Sequence, residues 1–204
     1  MKILAIGAHP DDIEYSCLGF LLAQKKKGAI IDYLIMTLGE KGNNENGQER
    51  REEQLKAFDV CGFNLIEFGN YTDGCLPVNS ETISFVEKKI STFKPDIILT
   101  HYPKDWHQDH VSTSAIVQAA CRNYPKLLFY NSYSSIEFTP KIFYDISDYI
   151  EQKKEILSKF RTQIERNASK GIDFAGYSVD VNKYFGNQCR KEYAEAFDAY
   201  RFLL

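Results

Sequence analysis

The sequence predicts an α/β fold in which helices cover both faces of a mostly parallel sheet. Short apolar runs alternate along the chain with longer segments of helical periodicity. This alternation is typical of parallel strands that are joined by helical crossovers. No repeat, low-complexity tract or linker interrupts the 204 residues, a length that one domain accommodates. We therefore expect one domain over residues 1–204.

Each predicted strand is a short apolar run, and most are followed by a helical pattern. The run KILAIGA, residues 2–8, predicts the first strand, and the next segment predicts a helix that ends at Gly28. The other predicted strands are 30–38, 65–68, 96–102, 126–130 and 141–146. The other predicted helices are 48–61, 79–93, 110–123, 148–166 and 189–202. The polar segment 39–49 is longer than a simple connection and is a candidate part of a site.

Composition excludes several classes of protein. The net charge is −3 and the basic residues are scattered, which argues against a nucleic-acid partner. No apolar stretch approaches the roughly 20 residues of a membrane span. The five cysteines form no CxxC pair, and no signal-peptide pattern precedes the first strand. We expect a cytoplasmic protein with reduced cysteines, and the sequence leaves open whether it forms a homo-oligomer.

The histidines are concentrated in two short segments. The chain has four of them, and all fall within AHPDD, residues 8–12, or THYPKDWHQDHVST, residues 100–113. They are His9, His101, His107 and His110. Each segment follows a predicted strand, and sites in open α/β sheets form beyond the carboxyl ends of strands. We therefore expect both segments to contribute to one site.

The residue types in these segments indicate a metal centre. Buried charges are costly unless they are paired, and a mixed set of histidine and aspartate without thiolate suits Zn²⁺ or another divalent ion. His9, Asp12 and His110 would supply three ligands. Asp11 and His107 would then remain to accept a proton and to stabilise an oxyanion during amide or ester hydrolysis. In an alternative interpretation, the aspartates cap the following helix and Glu14 completes a capping box.

The two segments resemble motifs of a known family. AHPDDIE and HQDHVST are similar to the AHPDDxE and HxDHxxT motifs of the PIG-L/LmbE-like de-N-acetylases. Weaker similarities extend along the chain, at residues 37–42, 50–63, 70–74, 142–147 and 191–197, the last resembling the family's C-terminal helix. Of Ser16-Cys17-Leu18-Gly19, only Gly19 keeps the glycine-rich turn of many members. The resemblance implies a Rossmann-like three-layer sandwich and zinc-dependent removal of an N-acetyl group from a small aminosugar conjugate.

The resemblance also implies roles for individual residues. It makes His9, Asp12 and His110 the metal ligands, Asp11 the general base and His107 the electrophilic partner. It also implies that Asp109 orients His107 and that Arg50 and Asp73 hold the sugar.

Several of these roles have simpler alternatives. Arg50 could form a surface ion pair with Glu53, and Asp73 could serve only the turn before Gly74. Trp106 is either a platform on which a sugar stacks or a packing residue. His101 is a candidate support for the site. At the level of function, the alternatives are hydrolysis of another small amide or an O-acetyl ester, or a sugar-binding module without catalysis.

Overall fold

The strands of the described part of the chain form one mixed sheet. The computed structural model describes residues 1–42 and 47–203. The strands are β1 (Lys2–Gly7), β2 (Ile30–Thr37), β3 (Leu65–Tyr71), β4 (Ile97–His101), β5 (Lys126–Tyr130), β6 (Ile142–Asp145) and β7 (Ala194–Phe202). The α-helices are α1 (Asp12–Lys26), α2 (Gln48–Cys61), α3 (Ser80–Phe93), α4 (Gln108–Ala120), α5 (Ile150–Leu157), α6 (Arg161–Ala168) and α7 (Phe174–Cys189). Short 3₁₀ helices lie at Glu40–Gly42 and Ser147–Tyr149.

The direction in which successive strands are added to the sheet reverses at β1. The order is β3-β2-β1-β4-β5-β7-β6, in which β1 to β5 are parallel and β7 runs antiparallel to both of its neighbours. The chain builds outward from β1 in one direction through β2 and β3, and in the other through β4 and β5. Such a reversal opens a crevice at the carboxyl ends of the two central strands. The predicted α/β class with a mostly parallel sheet is confirmed.

Two apolar layers hold the helices on the sheet. Side chains of a strand alternate between its faces, and in β1 Ile3 and Ala5 pack on the side of α1 and α2. Leu4 and Ile6 pack on the opposite side with α3 and α4. This alternation confirms the predicted three-layer arrangement. None of the described helices is both long and apolar enough to cross a membrane.

A break in α1 lies where the sequence departs from the family pattern. Cys17 has φ −145° and ψ 18°, which are not helical values. The break frees the backbone N–H groups of Gly19 and Phe20, which donate to the carboxylate of Glu195 at 2.9 and 2.6 Å. A Cβ atom at Gly19 would lie 2.7 Å from the side chain of Ile146, so close packing explains the glycine.

The C-terminal prediction was wrong. Residues 189–202 were predicted to form a helix, and residues 191–197 were matched to the C-terminal helix of the family. The chain instead forms strand β7 over Ala194–Phe202, and helix α7 precedes it. Alanine and glutamate favour helices, yet burial between β5 and β6 overrides that propensity. Glu195 is fully buried and pairs with the equally buried Lys153 at 2.8 Å. The predicted helix 148–166 is also divided, into α5 and α6.

Candidate active site

A cavity of about 970 Å³ opens at the carboxyl ends of β1 and β4. Most predicted site residues line it: His9, Asp11, Asp12, Arg50, Asp73, Trp106 and His107. His110 and Asp109 are buried beside them, at 0% and 1% exposure. The two histidine-bearing segments therefore meet at one place, as their positions after strands predict. The 3₁₀ helix within the predicted loop 39–49 adds Lys41 to the lining, and residues 43–46 of that loop lie outside the described residues.

The carboxylate of Asp12 lies between two imidazoles. Its Oδ2 is 3.4 Å from Nδ1 of His9, and its Oδ1 is 3.3 Å from Nε2 of His110. Oδ2 also accepts the backbone N–H of His9 at 2.7 Å. Nε2 of His110 is buried and has no hydrogen-bond partner in the described part of the chain. Among the three predicted ligands, Asp12 is thus the one that lies near both of the others.

The second nitrogen of each imidazole is held by a carboxylate. Nε2 of His9 lies 3.0 Å from Asp73 and 3.2 Å from Asp109, and Nδ1 of His110 lies 3.2 Å from Asp105. Carboxylates behind metal-ligating histidines fix the tautomer and the orientation of the ring. Asp109 therefore contacts His9 through its carboxylate. It contacts His107 only through its backbone N–H, which donates to Nδ1 at 3.2 Å.

Asp105 was not singled out from the sequence. Its carboxylate accepts the hydroxyls of Ser132, Ser134 and Ser135 at 2.5, 2.6 and 3.2 Å. These serines follow β5, whose carboxyl end lies beside that of β4. Burial opposes ionisation, but His110 and the hydroxyls hold the pKa of Asp105 well below its usual range. A serine-rich stretch after a third parallel strand was the signal that could have indicated this support.

Substituting Asp105 with alanine is expected to weaken metal binding by about 10- to 100-fold, because His110 loses the group that orients it. Metal affinity would be measured by competition with a chelator, beside a thermal unfolding curve. Asp145→Ala is the matched control, since Asp145 also accepts a serine hydroxyl but lies on β6, outside the cavity lining. Unchanged affinity in a folded Asp105→Ala protein would contradict this role.

Asp11 has a strained backbone that α2 holds in place. Its φ of 83° is left-handed, a region that non-glycine residues adopt uncommonly. Its backbone N–H donates to Gln54 at 3.0 Å, and Arg50 donates to its carboxylate at 2.9 Å. Burial raises the pKa of Asp11 to about 6, although Arg50 opposes the rise. The side chain makes no helix-capping hydrogen bond, and Glu14 binds Gln54, so the capping interpretation was wrong.

Arg50 is buried, and its two terminal nitrogens bind groups of the site. Besides Asp11, its guanidinium donates to the backbone oxygens of Gly39 at 3.0 Å and Pro10 at 2.8 Å. The alternative ion pair with Glu53 is wrong, because the Glu53 carboxylate accepts the N–H and the hydroxyl of Thr162. A Cβ atom at Gly39 would lie 1.7 Å from Nη1 of Arg50, so only glycine leaves room for this arrangement.

The remaining predicted residues lie at the mouth or on the floor of the cavity. Trp106 is 80% exposed at the mouth, so the packing alternative is wrong. Asp73 lies in the turn before Gly74, lines the cavity and also contacts His9. His101 is fully buried on the floor, 3.1 Å from Asp12, and its ring stacks on His110 at 4.0 Å. His101 thus supports two of the predicted ligands from below.

The donors present suit a divalent metal ion. Within residues 1–42 and 47–203, three overlapping groups have ligand atoms within 4.8 Å of one another: His9, His107 and His110; Asp12, His101 and His110; and His9, Asp73 and Asp109. The predicted trio of His9, Asp12 and His110 draws its members from the first two groups and is not itself one of the three. Imidazole and carboxylate donors without thiolate match ions such as zinc.

Comparison with known proteins assigns the chain to a family. Residues 4–121 match the family model described as PIG-L, GlcNAc-PI de-N-acetylase. The chain belongs to the PIG-L family. The match includes every predicted site residue, which confirms the resemblance found in the two motifs. Helices α5 to α7 and strands β5 to β7 lie beyond the residues that match the PIG-L model.

Two curated relatives and a solved structure are similar to the chain over most of its length. The chain is 33% identical to the uncharacterized deacetylase YaiS of Escherichia coli K12 over 169 residues, which are 78% of this chain and 90% of the relative. It is 25% identical to a probable N-acetyl-α-D-glucosaminyl L-malate deacetylase 2 of Bacillus anthracis, covering 79% and 83%. A conserved protein from Thermus thermophilus superposes with a TM-score of 0.87 at 25% identity, covering 99% and 95%.

Proposed function

We propose that the protein is a zinc-dependent N-deacetylase, which hydrolyses the acetamide of an aminosugar conjugate to acetate and a free amine. The observation that carries the proposal is the carboxylate of Asp12 between the imidazoles of His9 and His110, with Asp11 directly beside it. A binding module would need neither a buried, strained aspartate nor a further imidazole at the same edge of the sheet.

His9, Asp12 and His110 would hold the ion. The buried Nε2 of His110, which has no hydrogen-bond partner in the described residues, supports this choice. Three protein ligands leave a position open, as catalytic zinc sites require. A bound zinc ion would supply Lewis acidity and lower the pKa of water toward about 7.

Asp11 would move the proton that hydrolysis requires. In this proposal its carboxylate accepts a proton from the attacking water and later delivers it to the departing amine. A pKa of about 6 leaves most of Asp11 ionised at neutral pH, so it is ready to act as a base. Arg50 donates to this carboxylate, and the backbone N–H of Asp11 donates to Gln54, so the two contacts hold Asp11 at the cavity wall.

His107 would stabilise the negative charge that develops on the acetyl oxygen. Its Nδ1 accepts the backbone N–H of Asp109, so a neutral ring carries its proton on Nε2. Burial, together with the nearby His9 and His110, lowers the pKa of His107 and favours this neutral form. A donor fixed in this way needs no reorganisation when the oxyanion forms.

Substitution of His107 with alanine is expected to lower kcat by about 10²- to 10³-fold, the usual effect of removing one preorganised donor. Bound metal should remain at the wild-type level, which elemental analysis of the same sample measures. Loss of the metal instead would show that His107 is a ligand, together with His9 and His110.

Arg50, Asp73 and Trp106 would bind the sugar, since all three line the cavity. The Bacillus anthracis relative, whose name specifies an N-acetylglucosaminide, supports an aminosugar as the substrate. The test is a panel of N-acetylated sugars, sugar nucleotides and glycosides, analysed by mass spectrometry for loss of acetyl, with an O-acetyl ester as comparison. Acetyl loss from N-acetyl sugars supports the proposal, and cleavage of the ester alone would contradict it.

A further inference from the structure

We propose that Glu14 and Gln54 are positioning residues, which hold Asp11 ready for proton transfer by fixing its backbone. The inference rests on the proposed function for the role of Asp11 as the base. Glu14 belongs to the AHPDDIE segment, yet the proposed reaction makes no use of its carboxyl. Both residues are fully buried and neither lines the cavity, so any effect on catalysis passes through a residue that does.

The backbone conformation of Asp11 needs support from its surroundings. Asp11 directly precedes α1, where a residue ordinarily has an extended backbone and a side chain that binds the first turn. Its φ of 83° and ψ of −24° are left-handed instead, and its side chain makes no capping hydrogen bond. A residue other than glycine stays in such a conformation only where neighbouring groups enforce it. The direction of the Asp11 carboxylate therefore depends on what holds the peptide groups on either side of it.

The peptide group between Pro10 and Asp11 is held at both ends by side chains of α2, which are four residues apart on one face of the helix. Arg50 donates to the oxygen of Pro10 at 2.8 Å. The N–H of Asp11 donates to Oε1 of Gln54 at 3.0 Å. The next peptide group is fixed by α1, because the N–H of Tyr15 donates to the oxygen of Asp11 at 2.8 Å. Asp11 keeps its left-handed φ as long as these three bonds persist.

Glu14 determines which end of the Gln54 amide faces Asp11. The backbone N–H of Asp11 can only donate, so the amide must present its oxygen there and direct its NH₂ group away. That NH₂ group donates to Oε1 of Glu14 at 2.8 Å. Without this acceptor the NH₂ group would be buried and unpaired, which destabilises the orientation that Asp11 requires. The other oxygen of Glu14 has no hydrogen-bond partner among the described residues, so the bond to Gln54 is what accounts for burying this carboxyl.

The first test breaks this link without altering the Asp11 carboxylate. Gln54→Met and Glu14→Leu remove the hydrogen bonds and keep most of the side-chain volume. Each is expected to lower kcat by about 10- to 100-fold, because a displacement on the order of 1 Å from the reacting geometry costs that much. KM for the most active N-acetyl sugar of the panel and the zinc content should stay near the wild-type values, since neither residue lines the cavity.

Two further variants distinguish positioning from a general structural effect. Glu14→Gln keeps an oxygen acceptor for Gln54 and should recover most of the activity that Glu14→Leu loses. Thr162→Val is the matched control, because it removes a buried hydrogen bond of 2.6 Å to Glu53, the neighbouring residue of α2. It should lower the melting temperature without a comparable fall in kcat. A fall in kcat as large as that of Gln54→Met, or no recovery in Glu14→Gln, would overturn the inference.

A double substitution tests whether the effect passes through Asp11. In an Asp11→Asn background, which already lacks the base, Gln54→Met should lower kcat no further. The full additional loss in that background would overturn the inference, because Gln54 would then act on another group of the site.

Hydrogen exchange at the Asp11 amide separates this inference from the proposed function. In ¹⁵N-labelled, zinc-loaded protein, this N–H should exchange about 10-fold or more faster in Gln54→Met and Glu14→Leu than in the wild type, because its acceptor is lost or no longer fixed. Unchanged exchange would overturn the inference even if both variants lose activity. Faster exchange in the variants of a chain whose wild type releases no acetate would support the positioning of Asp11 and contradict the proposed deacetylation.

Discussion

Replacing Asp11 with asparagine is expected to lower kcat by about 10²- to 10⁴-fold while the metal and the substrate remain bound, because general acid–base catalysis is typically worth that much. Asparagine tolerates the left-handed conformation that Asp11 adopts, with φ of 83°. It can also accept a hydrogen bond from Arg50, but it cannot accept a proton. Acetate release, metal content and substrate binding would be measured on one preparation.

The neighbouring aspartate provides the comparison. Asp12→Asn should weaken metal binding itself, because the Asp12 carboxylate lies between His9 and His110. Near-normal turnover by metal-loaded Asp11→Asn would refute the base assignment. Metal loss in Asp11→Asn, with retention in Asp12→Asn, would show that the two roles are exchanged.

Removing either histidine that faces Asp12 is expected to abolish both metal binding and activity. His9→Ala and His110→Ala each delete one of three proposed ligands, and two remaining donors hold a divalent ion poorly. Elemental analysis of purified protein would report the metal content, with about one ion per chain expected in the wild type. Circular dichroism would verify that each variant is folded.

His107→Ala is the matched control for these two variants, because it removes an imidazole that lies 4.6 Å from the His9 ring without removing a proposed ligand. Full metal content in both His9→Ala and His110→Ala would contradict the ligand assignment. Loss of the metal in His110→Ala alone would instead indicate the Asp12, His101 and His110 group, and loss in His9→Ala alone would indicate the His9, Asp73 and Asp109 group.

The central part of the site could be predicted because local sequence determines it. A polar segment that follows a parallel strand emerges at the carboxyl edge of the sheet. AHPDD and the residues around HQDH therefore lie close together once β1 and β4 are neighbours. The scarcity of histidine then made their clustering informative.

Features that depend on distant contacts could not be predicted. β7 contains helix-favouring residues, and only its position between β5 and β6 and the burial of Glu195 against Lys153 make it a strand. The sequence did not indicate that the Arg50 guanidinium binds Asp11 across 39 positions of sequence. The serines that hold Asp105 are likewise separated from it by a complete helix and strand.

The most direct test of metal-dependent deacetylation is a titration of zinc into metal-free protein while acetate release from an N-acetylated aminosugar conjugate is followed. We expect no release from the metal-free chain, a linear rise as zinc is added, and a plateau at about one ion per chain, as a three-ligand catalytic site requires. Equal release from metal-free and zinc-loaded protein would contradict the account. So would a chain that binds one ion and releases no acetate from any N-acetyl sugar of the panel.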